Sequence, residues 1–188
     1  MIIDINQAKI ALADKYKIYL NESQEPEYRA ARKLFRIFAE VDLFTETGPE
    51  PGLTIKKKLS FFKPRYEIRM GGDAFNFNTV SFLKHHYQCD IGKDHYDIYG
   101  HRGRKFSIFR NDRQVAWWDK AAISWFAGDN YRIVCDDDAN VEVLIAFCLI
   151  IDNFRSDEHD GKALNYDVGN LGFQAKKFDP AWQPHKSN

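Results

Sequence analysis

Residues Val141 to Phe154 read Val-Glu-Val-Leu-Ile-Ala-Phe-Cys-Leu-Ile-Ile-Asp-Asn-Phe, a helix-length run that is apolar around its whole circumference. A helix of this kind has no face to turn to water and must be enclosed on every side. The acidic triplet Asp136-Asp137-Asp138 and Asn140 stand just before it. Acidic or Asn side chains there suit the free N–H groups and the positive dipole of a first helical turn. The run predicts a buried helix over Ala139 to Phe154, with the triplet as its cap. From Val143 to Ile151 it keeps nine residues free of charge and strong polarity, too few for a bilayer span, which takes about 20. A flat sheet would cover one side of such a rod. A barrel closed around it covers all sides and leaves no sheet edge exposed.

The rest of the chain supplies strands for that barrel. Aromatic and β-branched residues recur in short alternating stretches separated by turn chemistry, the pattern of an antiparallel meander. Expected strands are Lys15 to Leu20, Leu53 to Phe61, Arg65 to Met70, Phe75 to Lys84, Tyr87 to Ile91, His95 to Tyr99, Lys105 to Arg110, Gln114 to Asp119 and Tyr131 to Cys135. Gly71-Gly72 and Asn111-Asp112 can supply positive φ at hairpin tips, and Gly100 to Gly103 and Gly128-Asp129 break the ladder where it reverses. Three windows look like copies of one unit: Ser60-Phe61 before Tyr66 and Ile68, Ser81-Phe82 before Tyr87 and Cys89, and Ser124-Trp125 before Tyr131 and Ile133. A strand, a corner and a returning strand generate that spacing, with the tyrosine and the residue two places on sharing a face. Glu27 to Glu46 fits either helical intervals (Tyr28, Ala31, Leu34, Phe35, Phe38, Val41) or alternation (Phe35, Ile37, Ala39, Val41, Leu43).

With 188 residues, 44% of them hydrophobic, the chain can fill one good core. One domain is expected over residues 1–154. Arg155 to Asn188 is polar and reads as an extension lying on the barrel through Leu164, Tyr166, Leu171, Phe173, Phe178 and Trp182. Lysine plus arginine and aspartate plus glutamate number 27 each, which excludes a strongly basic nucleic-acid binder and a polyacidic tail. The charge is uneven, however: Lys56 to Arg113 holds 13 basic and 6 acidic residues, net +7, against 14 and 21, net −7, in the remainder. Cys89, Cys135 and Cys148 match neither a disulfide framework nor a CxxC metal site, so a reducing, cytoplasmic setting is expected. Met1 to Asp14 lacks a cationic region ahead of an apolar core and does not read as a signal peptide.

At Leu53 to Met70 (LTIKKKLSFFKPRYEIRM), Ser107 to Cys135 (SIFRNDRQVAWWDKAAISWFAGDNYRIVC) and Val141 to Asp152 (VEVLIAFCLIID) the chain resembles the LURP-one-related family, a branch of the tubby C-terminal-like superfamily that also includes phospholipid scramblases. A Lys-rich strand before Phe-x-Pro-x-Tyr, a Ser-Trp corner before Gly-Asp-x-Tyr and an apolar helix ending in Ile-Asp rarely coincide. The resemblance covers most of Lys15 to Asn153. It implies a closed antiparallel barrel of about twelve strands around a hydrophobic C-terminal helix, in agreement with the reading above, and it favours strands over Glu27 to Glu46.

Chemistry is thinner than architecture. Lys56, Lys57, Lys58, Lys63 and Arg65 form the densest basic cluster, and the tubby-like resemblance implies an anionic phospholipid headgroup held by such side chains. The competing reading is a solvated strand face, since alternation puts Lys56 and Lys58 on one side and Lys57 on the other. His85, His86, His95, His101 and His159, with Asp90, Asp94 and Asp97, show no paired spacing for a metal. The acidic triplet could offer calcium oxygen ligands, but helix capping accounts for it more cheaply. Ser124 lies in Ile-Ser-Trp rather than a nucleophile elbow, and neither a Gly-rich phosphate loop nor His-x-x-x-His occurs. The expectation is a non-catalytic intracellular binding or scaffold module without cofactor or metal. Its preferred partner is an anionic phospholipid headgroup or membrane surface, not nucleic acid. A protein-interaction or structural domain is the alternative, and the oligomeric state is open.

Overall fold

The computed structural model describes residues 1–10, 13–33, 40–60, 65–119, 130–159 and 174–186. Twelve strands, β1 (Ile2–Ile10), β2 (Ala13–Leu20), β3 (Tyr28–Lys33), β4 (Glu40–Thr45), β5 (Leu53–Lys58), β6 (Arg65–Met70), β7 (Asp73–Ser81), β8 (His86–Ile91), β9 (Asp94–Gly100), β10 (Lys105–Arg110), β11 (Arg113–Asp119) and β12 (Asn130–Cys135), precede one helix, α1 (Val141–His159). Each strand pairs antiparallel with its sequence neighbours, and β1 closes the barrel by pairing with both β2 and β12. Across that closing seam Asp4 stands opposite Arg132, and Arg132 Nε–H and Nη2–H donate to the two Asp4 oxygens at 2.7 and 2.8 Å, a bidentate pair that fixes register as well as adding energy.

Alternation does the sorting. In β6, Tyr66 and Ile68 are buried while Arg65 and Arg69 are exposed; in β2, Tyr16 and Ile18 are buried while Lys15 and Lys17 are exposed. The tyrosine and its second neighbour in each of the three similar windows, Tyr66/Ile68, Tyr87/Cys89 and Tyr131/Ile133, are all buried in the core. Ser124-Trp125 and Phe61 lie outside the described residues. Glu27 to Glu46 contains β3 and β4, so its alternation prevails over its helical spacing where the chain is described. Gly71 and Gly72 (φ 61° and 89°) and Asn111 and Asp112 (φ 50° and 67°) form the tight tips whose twist matches that of the flanking strands.

Helix α1 runs through the middle, and every residue from Val143 to Ile151 is at most 3% exposed. Phe147 packs against Phe77 and Tyr96 with ring centroids 5.6 and 5.4 Å away. Because the strands alternate in direction, the connections β2–β3, β4–β5, β6–β7, β8–β9, β10–β11 and β12–α1 gather at the end where the helix enters. The other connections gather where it leaves.

Several expectations need correction. β5 ends at Lys58 rather than running on through Leu59 and Ser60, and α1 continues to His159, past the expected end at Phe154. Ile2–Ile10 is a strand that the sequence reading did not assign. Phe82 to Lys84 form a turn rather than the end of β7: the Ser81 hydroxyl accepts the Lys84 N–H at 3.3 Å and the Phe82 carbonyl accepts the His85 N–H at 3.1 Å, local bonds that compete with the ladder. Nor does the acidic triplet cap α1. Asn140 does, its Oδ1 accepting the Val143 N–H at 3.2 Å. Asp136 instead accepts the His185 N–H at 2.6 Å and pairs with Arg113 at 3.1 Å, and Asp138 pairs with Arg110 at 2.6 Å.

Residues 174–186 cross the outer wall of β9 to β11. Lys176 Nζ sits 3.6 Å from the Phe109 ring centre, and Phe178 meets His101 and Trp117 edge-on at 5.3 and 5.7 Å. The Asp137 N–H donates to the His185 carbonyl at 3.1 Å. Of the six anchors expected for this extension, Phe178 and Trp182 are described, and both are partly buried; Leu164, Tyr166, Leu171 and Phe173 lie outside the described residues.

Candidate functional site

The basic cluster begins as a row across the outer wall. Register sets Lys33, Glu40, Lys56 and Glu67 side by side on β3 to β6, cation alternating with carboxylate. Lys33 Nζ lies 2.7 Å from Glu40 and 2.6 Å from Asp42, and these hydrogen bonds hold its ammonium above the usual lysine range, Asp42 contributing most. Lys56 Nζ is 3.5 Å from Glu40. Lys58 Nζ is 2.5 Å from Glu67, which also accepts from Arg69 Nε at 2.6 Å. The Lys58 contact, helped by Arg69 and opposed by burial, holds the Glu67 carboxyl below the ordinary carboxylate range. Two of the five predicted site residues, Lys56 and Lys58, therefore meet carboxylates from neighbouring strands. Lys57 is half-buried opposite Tyr66, on the other side of β5, as its alternation requires. Arg65 is exposed between Lys58 and Asn78. Lys63 lies outside the described residues.

The cationic excess collects at the helix-exit end. Lys58, Arg65, Lys84, Arg102 and Arg104 are all exposed on or beside the connections there, in the company of exposed Leu59, Phe82 and Leu83. Around the connections at the helix-entry end, exposed Glu22, Glu25, Glu27, Glu46, Glu50, Asp73 and Asp112 outnumber exposed Arg29, Arg69, Lys93 and Arg113. Among the described residues, exposed charge is thus divided unevenly between the two ends of the barrel. Leu59, Phe82 and Leu83 escaped the sequence reading because they were assigned to strands, where an apolar side chain needs no partner outside the fold. The Ser-aromatic corner followed by Lys84 was the available signal.

The histidines divide among separate surroundings. On the outer wall of β8 and β9, His86 Nε2 lies 2.6 Å from Asp97, Gln88 Nε2–H donates to the same carboxylate at 2.9 Å, and His95 Nδ1 lies 2.5 Å from Asp90. Asp90 raises the His95 imidazole above its ordinary range. Burial pushes Asp97 up, but the bonds from His86 and Gln88 outweigh it and leave the carboxyl below its usual range. His85 sits in the β7–β8 turn with φ 45°. His101 lies under residues 174–186, with Nε2 2.7 Å from the Ser107 hydroxyl, and burial lowers its basicity. Among the described residues no three His, Cys, Asp or Glu side chains are placed to hold a metal ion.

The barrel interior leaves little room for a ligand. Beside the helix, the Asp152 carboxylate accepts the hydroxyls of Tyr131 and, at 3.1 Å, Tyr16, whose oxygen takes an N–H from Gln7 at 3.3 Å. A cavity of about 10 Å³ lies there, lined by Arg104, Phe106, Trp118, Tyr131, Cys148, Ile151 and Asp152, the space one water needs. Burial pushes the Cys89 thiol up to about 12 and the Cys135 thiol up to about 11, so neither supplies a thiolate near neutral pH.

A family model described as LURP-one-related matches residues 1–152, from the first strand through the buried part of the helix. No curated protein and no solved structure matches the chain.

Proposed function

The chain belongs to the LURP-one-related family, and from that premise we propose that it is a non-catalytic binding module that docks its helix-exit end on a membrane surface bearing anionic phospholipid headgroups. The observation that carries this reading is the uneven division of exposed charge, with Lys58, Arg65, Lys84, Arg102 and Arg104 exposed at one end and an acidic excess at the other. An anionic bilayer attracts each cation near its surface by about 1 kcal/mol, so four acting together are worth roughly three powers of ten in partitioning. The same field turns the acidic end away and orients the barrel. Lys56 and Lys58 contribute least, because Glu40 and Glu67 already face them, and the tubby-like resemblance points to the same ligand class. Three free cysteines suit a cytoplasmic setting.

Co-sedimentation with phosphatidylcholine vesicles, with and without phosphatidylserine, tests the proposal. The bound fraction should rise with phosphatidylserine, fall with added salt, and drop on combining Lys58→Glu, Arg65→Glu and Lys84→Glu. Binding indifferent to anionic lipid and to charge reversal would sink it. The second reading, a protein-interaction domain, draws on the wall of β9 to β11. There Tyr99, Phe109 and Trp117 already receive an extended segment of the same chain.

A further inference from the structure

Among the described residues, the large apolar side chains that stand exposed are Leu59 (71%), Leu83 (64%), Val80 (38%) and Phe82 (37%). Leu59 lies in the β5–β6 connection, Val80 near the end of β7, and Phe82 and Leu83 in the β7–β8 connection, all at the helix-exit end. Lys58 pairs with Arg65 and Arg65 with Asn78, so one strand, β6, separates the point where Leu59 leaves the ladder from the strand that carries Val80 out towards Phe82 and Leu83. The second corner is firmly built. The His85 N–H donates to the Phe82 carbonyl at 3.1 Å, the Lys84 N–H to the Ser81 hydroxyl at 3.3 Å, and the Gly100 N–H to the His85 carbonyl at 2.8 Å. His85 packs so closely on Gly100 that a Cβ there would come within 2.5 Å of the His85 Cβ. The backbone that carries Phe82 and Leu83 is fixed before any ligand arrives, and the Phe82 ring meets the His85 ring at 6.2 Å, which lowers the ordering cost of binding.

A cluster of exposed apolar side chains marks an interaction surface. This tip is bordered by exposed Lys58, Arg65 and Lys84. Apolar side chains beside cations fit the boundary of an anionic bilayer, where phosphates lie just outside the acyl chains. We propose that Leu59, Phe82 and Leu83 enter the acyl-chain boundary of an anionic membrane while Arg65 and Lys84 meet its headgroup phosphates. This rests on the membrane reading above and adds insertion to what charge alone would give.

The test uses the full chain and vesicles of phosphatidylcholine with phosphatidylserine. Because Cys89, Cys135 and Cys148 are buried, a polarity-sensitive dye attached through Leu83→Cys reports on the tip. Its emission should shift to the blue on vesicle binding and be quenched by lipids brominated along the upper acyl chain. Leu83→Ser and Phe82→Ser should each weaken partitioning about tenfold, with the salt dependence unchanged. If the unaltered chain binds these vesicles while the dye stays aqueous and both serine variants bind equally well, insertion is refuted and attachment by charge stands. If the unaltered chain fails to bind them, insertion and the membrane reading fall together. A Leu83→Ser variant that loses self-association in lipid-free solution but keeps full vesicle binding assigns the tip to a second copy of the chain and overturns the proposal.

Discussion

At the helix-entry end Asp136 and Asp138 are held by Arg113 and Arg110, and Asn140 caps the helix, whereas at the helix-exit end Leu59, Phe82 and Leu83 are exposed beside cations. The same strands make both ends, so the difference lies in their connections. From β5 to β12 the entry-end connections are tight turns, Gly71-Gly72, Gly92-Lys93 and Asn111-Asp112, while residues 59–64, 82–85, 101–104 and 120–129 join strands at the other end. A two-residue tip spends its side chains on positive φ and offers little to a partner. A longer connection on a rigid barrel can display side chains without disturbing the core.

Both ends depend on the rod between them, and the largest expected effect is there. Phe147→Ala should cost about 3–5 kcal/mol in chemical denaturation, because a fully enclosed ring leaves a cavity the barrel cannot collapse into. A loss of under about 1 kcal/mol would show that the helix is not sheathed and that the ends are not held apart by a common core. Next comes Asp136→Ala at the entry end, about 1–3 kcal/mol. It removes the acceptor of the His185 N–H and the partner of Arg113. The same variant should make the chain near His185 easier to cleave in limited proteolysis, and unchanged cleavage would show that the segment is secured elsewhere.

Sequence made the rod and its sheath legible because their signals are local. Nine apolar residues from Val143 to Ile151 demand enclosure wherever they end up, and Tyr66 with Ile68 declares an inward face within three residues. The partners of the charges were not legible. Lys56 meets Glu40 only because β4 and β5 pair in one register, and Asp136 finds Arg113 and His185 from distant parts of the chain. For the triplet, a cap was the nearest available explanation, yet Asn140 took that role. The apolar tip was hidden for a related reason: the end of β7 is set by the Ser81 hydroxyl and the His85 backbone, a competition that hydrophobic alternation does not record.

Smaller effects should appear as slopes against pH. Arg110 beside Asp138 and Lys58 beside Glu67 hold those carboxyls below their ordinary range. Their contribution is therefore present above the unfolded carboxylate values near about 4 and is lost as pH falls through the lower folded ones. His95 is raised by Asp90, so its contribution has the opposite sign: complete below the unfolded imidazole value near about 6.5, and lost as pH rises through the folded one. Urea midpoints should flatten on the acid side in Arg110→Ala and on the neutral-to-alkaline side in His95→Ala. Equal slopes in the parent chain and both variants would remove these pairs from the account of stability.

Glu67→Gln should alter stability least and test the exit end most directly. Glu67 is the half-buried carboxylate that faces exposed Lys58 and Arg69, and ion pairs whose cations reach solvent are worth about 0.2–1 kcal/mol. Glutamine keeps the shape and can still accept a hydrogen bond, so the melting midpoint should barely move. The charge balance beside the tip does move, leaving Lys58 and Arg69 without the anion that now neutralises them. Partitioning onto phosphatidylserine vesicles should strengthen about fivefold, corresponding to roughly 1 kcal/mol for one more effective cation, with a steeper dependence on salt. The same exchange at the entry end, Glu25→Gln, should change partitioning far less, since that end faces away from the membrane. Equal gains from the two variants would mean that net charge rather than orientation governs attachment, and the distinction between the ends would lose its functional meaning.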